Sequence, residues 1–95
     1  MRYYYESLLN RNYQAIWDCE KITHNTTRKE FFLKLVEELI ECIQAKNDEN
    51  LAEELTDLKS VCENFLIHIG KIPIIEHEKV VIKNEKRALE HIKRG

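Results

Sequence analysis

Glycine occurs only twice and proline once in this chain of 95 residues. That scarcity excludes β-sandwiches and barrels, which need turn residues every ~8–12 positions. An excess of charge is also missing: 15 Lys and Arg stand against 17 Asp and Glu, a formal −2. A protein that coats DNA or RNA carries a basic surplus to neutralise phosphates, so no nucleic-acid partner is expected. No segment approaches the ~20 consecutive apolar residues of a membrane span, so no membrane partner is expected either. Residues 1–14, MRYYYESLLNRNYQ, lack the unbroken apolar stretch of a signal peptide. The three cysteines, Cys19, Cys42 and Cys62, contain no CxxC pair. Each falls within a helical pattern and reads as a small core residue of a reducing compartment. These absences predict a soluble, cytoplasmic protein.

What is present favours helices. Apolar residues make up 43% and charged residues 34%, enough hydrophobic material for a core and too much for disorder. The length corresponds to one domain, residues 1–95, with neither a repeat nor a linker. In the first predicted helix, from about Tyr5 to Ile22, Tyr5, Leu9, Tyr13, Ile16 and Trp17 recur on one face. The polar run Thr23–Thr27 breaks it, and Thr27 with Glu30 forms a capping-box pattern that opens a second helix. This second helix, Arg28 to Lys46, carries Phe32, Leu35, Val36, Leu39 and Ile43 as its stripe, widened by Leu33 and Ile40.

Asn47–Asn50 makes a tight connection and supplies the next N-cap, so helices two and three are expected to be antiparallel neighbours. Helix three, about Leu51 to Ile69, is expected to bury Leu51, Leu55, Leu58, Cys62, Phe65 and Ile69. Gly70 ends it as a left-handed cap, and Pro73 confirms the stop. Within residues 74–93, Val80-Val81-Ile82 reads as a strand in isolation. The lack of glycine there and the following Arg87-Ala88-Leu89 favour a helix. The expected fold is an all-α antiparallel bundle of about four helices. A chain this short buries little surface alone, so oligomerisation is expected to complete the bundle.

Residues 37–57 hold eight acids (Glu37, Glu38, Glu41, Asp48, Glu49, Glu53, Glu54, Asp57) against one base, Lys46. Glu38 and Glu41 are three apart on helix two, as are Glu54 and Asp57 on helix three, so each pair shares a face. On a 100° wheel each pair lies on the shoulder beside the apolar stripe. Antiparallel packing through the stripes would therefore draw four carboxylates together. At ~5 Å and an effective dielectric of ~20, each like-charge contact costs about 3 kcal/mol. Protonation or a bound cation offsets such repulsion, and an all-oxygen set suits Mg²⁺ or Mn²⁺. A Glu-x-x-Glu pair on a solvated face is ordinary helix composition; two such pairs on adjacent helices are less so. None of the four histidines has an acid three residues before it, which disfavours di-iron chemistry. His68 shares a shoulder with Asp57 and Asn64 and reads as a structural histidine before a ligand.

Lys34-Leu35-Val36-Glu37-Glu38-Leu39-Ile40-Glu41, followed by Glu53-Glu54-Leu55-Thr56-Asp57-Leu58, resembles the MazG-like branch of the all-α nucleoside triphosphate pyrophosphohydrolases. The resemblance extends to their phosphoribosyl-ATP pyrophosphohydrolase-like relatives. The family pattern is E-E-x-x-E, a short gap, then E-x-x-D, and the match covers about residues 30–70. Arg94-Gly95 also resembles the R-G that closes the last helix in some members. Tyr3-Tyr4-Tyr5 departs from the K-L-V-R-D-K-like opening of others. The resemblance implies a homodimer or homotetramer that cleaves a nucleotide between its α- and β-phosphates, with Mg²⁺ (or Mn²⁺) as cofactor. It further implies that Glu38, Glu41, Glu54 and Asp57 are the metal ligands.

Residues 79–95 carry six bases against two acids, Glu85 and Glu90. A basic last helix after an acidic site is the charge order of a metal–phosphate enzyme, and Lys83, Lys86 and Arg87 are the candidate phosphate contacts. The same bases also suit a solvated helix end. Tyr4, Tyr5, Tyr13 and Trp17 offer faces for stacking a base, although their helical spacing is that of core residues. The competing readings are a non-catalytic helical oligomerisation or regulatory module and an acidic adaptor that mimics nucleic acid. The clustered acids favour the enzyme over the module, and the basic last segment disfavours the adaptor.

Overall fold

The computed structural model describes residues 2–94; Met1 and Gly95, and the side chains of Arg2, Tyr3, Glu6 and Arg94, lie outside the described part. The described residues form four helices: α1 (Arg2–Asp18), α2 (Arg28–Ile43), α3 (Asp48–His68) and α4 (Pro73–Arg94). The described residues contain no strand, so Val80-Val81-Ile82 takes the helical option. No described helix is long and apolar enough to cross a membrane.

The helix ends follow local chemistry. Thr27 caps α2 by accepting the Glu30 amide at 3.2 Å, and its hydroxyl donates to the Glu30 carboxylate. Asn47 caps α3 by accepting the Asn50 amide at 2.8 Å, while Asn50 Oδ1 accepts the Lys46 amide. That interlocked turn ends α2 at Ile43, three residues before the expected Lys46. Gly70 takes φ +82°. Its amide donates to Ile67 O and that of Lys71 to Leu66 O, a Schellman closure of α3.

Helix α1 stops at Asp18 instead of Ile22 because the same closure recurs there without a glycine. Glu20 N donates to Trp17 O and Lys21 N to Ile16 O, with Glu20 itself at φ 59°. Ile22 is thereby turned into the interior, where it is 5% exposed. Cys19 falls beyond the helix and is exposed; Cys62 is exposed on α3, and Cys42 alone is buried. The expectation of three core cysteines holds for one.

Helices α2 and α3 pack antiparallel: Phe31 stacks on Phe65 at 4.6 Å near one end, while Glu54 meets Glu38 and Glu41 towards the other. Helix α1 joins α3 through the Tyr5 hydroxyl, which donates to Glu63 at 2.7 Å, and through Lys59, 4.9 Å above the Tyr5 ring. The buried side of α2 is Phe31, Glu38 and Cys42. The expected stripe is packed only in part: Leu35 is half-buried and Phe32 meets Phe65 edge-on at 5.3 Å, but Phe32, Leu33, Val36, Leu39, Ile40 and Ile43 are all largely exposed, Ile43 by 76%. Of the residues expected inside helix three, Leu51, Leu58 and Phe65 are half-buried and Leu55, Cys62 and Ile69 are exposed, while the fully buried residue of α3 is Asn64. Every described side chain of α4 from His77 onward is exposed. The radius of gyration, 16.0 Å, exceeds the ~12 Å of a compact chain this long. The monomer thus leaves two amphipathic helices without a partner for their apolar sides.

Candidate metal centre

Glu38 sits in the middle of the face that α2 turns towards α3. Glu41 follows three residues on, and Glu54 enters from α3. One ligand oxygen from each of the three lies within 4.8 Å of the others. Glu38 is buried, Glu54 half-buried and Glu41 exposed, so the group opens to solvent on one side. Asp57 is not part of the triplet; it is exposed and lines a cavity beside Glu38. Sequence spacing placed all four acids on shoulders around a common space. The structure gathers three and moves Glu38 from the shoulder into the packed face.

The triplet is poorly satisfied from within the chain. Lys34 Nζ lies 3.2 Å from Glu38 Oε1 and 3.5 Å from Glu37. Partial desolvation acts to lower the Lys34 pKa. The hydrogen bond to Glu38 and the fields of both glutamates outweigh it and raise that pKa above its ordinary value. Glu38 Oε2 and Glu54 Oε2 are buried with no hydrogen-bond partner. Leaving a charged group's oxygen unpaired costs its full desolvation penalty, ~1–3 kcal/mol or more. Burial pushes the Cys42 thiol up, and the fields of Glu54, Glu38, Glu41 and Asp57 push the same way. Negative potential is therefore concentrated where two acceptor atoms stand empty. A small divalent cation with oxygen preference answers both deficits at once. The residues present fit the metal that the acidic pattern implies.

Lys34 was the signal most easily missed. It lies one turn before Glu38, outside the acid-rich window, yet it is the cation in contact with the triplet. His68 does not face the acids: its Nε2 is 2.9 Å from Thr26 O and its ring packs against Phe31. Lys83, Lys86 and Arg87 are exposed on α4, and no ion pair among the described residues links them to the triplet. Tyr4 is exposed. Tyr13 and Trp17 are half-buried and line a shallow recess with His24 and His68.

A larger cavity, about 570 Å³, lies between α1, the α1–α2 loop, α2 and α3. Glu38, Asp57 and Lys34 line it, as do the apolar Ile16, Ile22 and Phe31. Its volume falls in the range of small-molecule sites. No protein-family model matches the chain, and comparisons with curated proteins and with solved structures find no match.

Proposed function

We propose that this chain is a Mg²⁺-dependent nucleotide pyrophosphohydrolase of the MazG-like type, cleaving a nucleoside triphosphate or related nucleotide to the monophosphate and pyrophosphate. One observation carries the reading: Glu38, Glu41 and Glu54 converge with two buried oxygens unpartnered, in the E-E-x-x-E and E-x-x-D register of that family. In this reading Glu38, Glu41 and Glu54 hold Mg²⁺ (or Mn²⁺), and Asp57 completes the set from the cavity side. A cation bound there polarises the phosphate oxygens and lowers the pKa of a coordinated water. Lys34, 3.2 Å from Glu38 Oε1, orients that carboxylate. Ile16, Ile22 and Phe31 exclude bulk water from the cavity beside it.

A homodimer or homotetramer belongs to the same reading. The exposed side of α2 and the unpartnered α4 supply apolar surface for a second copy. Association is also the route by which Lys83, Lys86 and Arg87 of one copy would meet the acids of another, there to neutralise pyrophosphate. A cytoplasmic location belongs to the same reading. The test is ³¹P NMR of nucleoside triphosphates incubated with protein and Mg²⁺. Monophosphate and pyrophosphate should accumulate without diphosphate or orthophosphate. No conversion of common or modified nucleotides would leave a non-catalytic helical module as the better reading.

A further inference from the structure

We infer that the cavity between α1 and α3 is a nucleobase pocket, and that Asn64 is the residue that reads the base. The inference rests on the nucleotide reading above and names the part of the substrate that the metal centre does not hold.

Asn64 is 5% exposed, and its Oδ1 is buried with no hydrogen-bond partner. It lines the cavity that Glu38 and Asp57 line. A buried amide oxygen without a partner destabilises the fold, and an apolar residue of similar volume would remove that penalty. What Oδ1 lacks is an N–H or O–H donor, and the cavity is the place from which one can arrive.

The helix sets the distance. Asn64 follows Asp57 by seven residues on α3, two turns, or about 10 Å along the axis. That is close to the reach of a nucleotide from its first phosphate to the outer edge of its base. With phosphates beside Glu38 and Asp57, a base would lie over Ile16, Ile22 and Phe31, whose apolar surfaces suit a flat ring. A primary amide offers one acceptor beside one donor. It matches a base edge that sets N–H beside a carbonyl or ring nitrogen, whereas a sugar phosphate has no such edge. Sites that hydrogen-bond a ligand N–H discriminate strongly against ligands lacking it, because the buried partner is then left unpaired.

The experiment compares nucleoside monophosphates with ribose 5-phosphate by calorimetry in Mg²⁺, for the wild type and for Asn64→Leu. The wild type should bind at least one monophosphate roughly ten-fold more tightly than ribose 5-phosphate, the loss expected for one buried hydrogen bond to a base. Asn64→Leu should bind both alike, keep its Mn²⁺ affinity, and melt no lower than the wild type. As a check independent of the variant, the Asn64 side-chain amide resonance of the wild type should shift with nucleosides that carry no phosphate. A wild type that does not distinguish monophosphates from ribose 5-phosphate, or an Asn64→Leu that keeps the preference, overturns the inference. So does an amide resonance that nucleosides leave in place. Failure of Mn²⁺ to bind would instead fall on the metal centre, because the phosphate-free nucleosides probe Asn64 without it.

Discussion

Lys34 and Glu38, one turn apart on α2, form an ion pair of 3.2 Å that satisfies only one side of the carboxylate. Glu38 Oε2 faces the interior with no partner. Glu38→Gln removes a charge from the triplet, keeps its volume, and adds two amide donors beside Glu54. The metal-free protein should gain about 1 kcal/mol, or roughly 4–8 °C for a domain of this size. The exposed Lys34 end of the pair is worth ~0–1 kcal/mol and offsets part of the gain. Because the Lys34 pKa is raised in the fold, the pair's contribution is complete below its unfolded value of 10.5 and disappears as pH rises through the folded one. Thermal melts of both proteins without and with Mn²⁺ check this: the wild type should be stabilised by the ion and the variant much less.

The two Schellman closures differ only in the residue at the left-handed position, Glu20 at φ 59° and Gly70 at φ +82°. A side chain there costs ~1–2 kcal/mol relative to glycine. Glu20→Gly should therefore stabilise the chain by about 1 kcal/mol, and Gly70→Ala should destabilise it by a similar amount. Urea unfolding with an unchanged slope would confirm that only stability moved.

Phe31 is 4% exposed and sits between Phe65 and His68. Phe31→Ala should cost ~3–5 kcal/mol. With so few buried apolar side chains, that loss is expected to leave the variant partly unfolded at 25 °C, as near-ultraviolet circular dichroism would report. Phe31→Leu should remain folded.

The exposed α2 face (Phe32, Leu33, Val36, Leu39, Ile40, Ile43) predicts association. Light scattering should give at least twice the chain mass of 11.4 kDa at micromolar concentration. Leu39→Glu should return a monomer, because it places a charge in the middle of that exposed face.

The parts of this fold that depend on neighbours in sequence were legible there. Thr27, Asn47 and Gly70 act within a single turn, and each caps where its residue type requires. The end of α1 was not legible, since Glu20 carries no signal for a left-handed conformation. The packed face of α2 was hidden for a different reason. Periodicity ranks faces by apolarity, and Phe32, Val36, Leu39 and Ile43 outrank Phe31, Glu38 and Cys42; yet the second set is the buried one. Hydropathy does not separate a face destined for the same chain from one left open. The acid spacing brought Glu38, Glu41 and Glu54 to attention, but Lys34 and Asn64 matter only through what lies across from them.

If Glu38, Glu41 and Glu54 form a divalent-cation site, calorimetric titration with Mn²⁺ will register it without any substrate. The wild type should bind Mn²⁺ saturably. Glu54→Gln should weaken that binding at least ten-fold, and Glu85→Gln, on the exposed side of α4, should leave it unchanged. Binding absent at millimolar Mn²⁺, or equally strong in Glu54→Gln, would mean that these three carboxylates hold no cation.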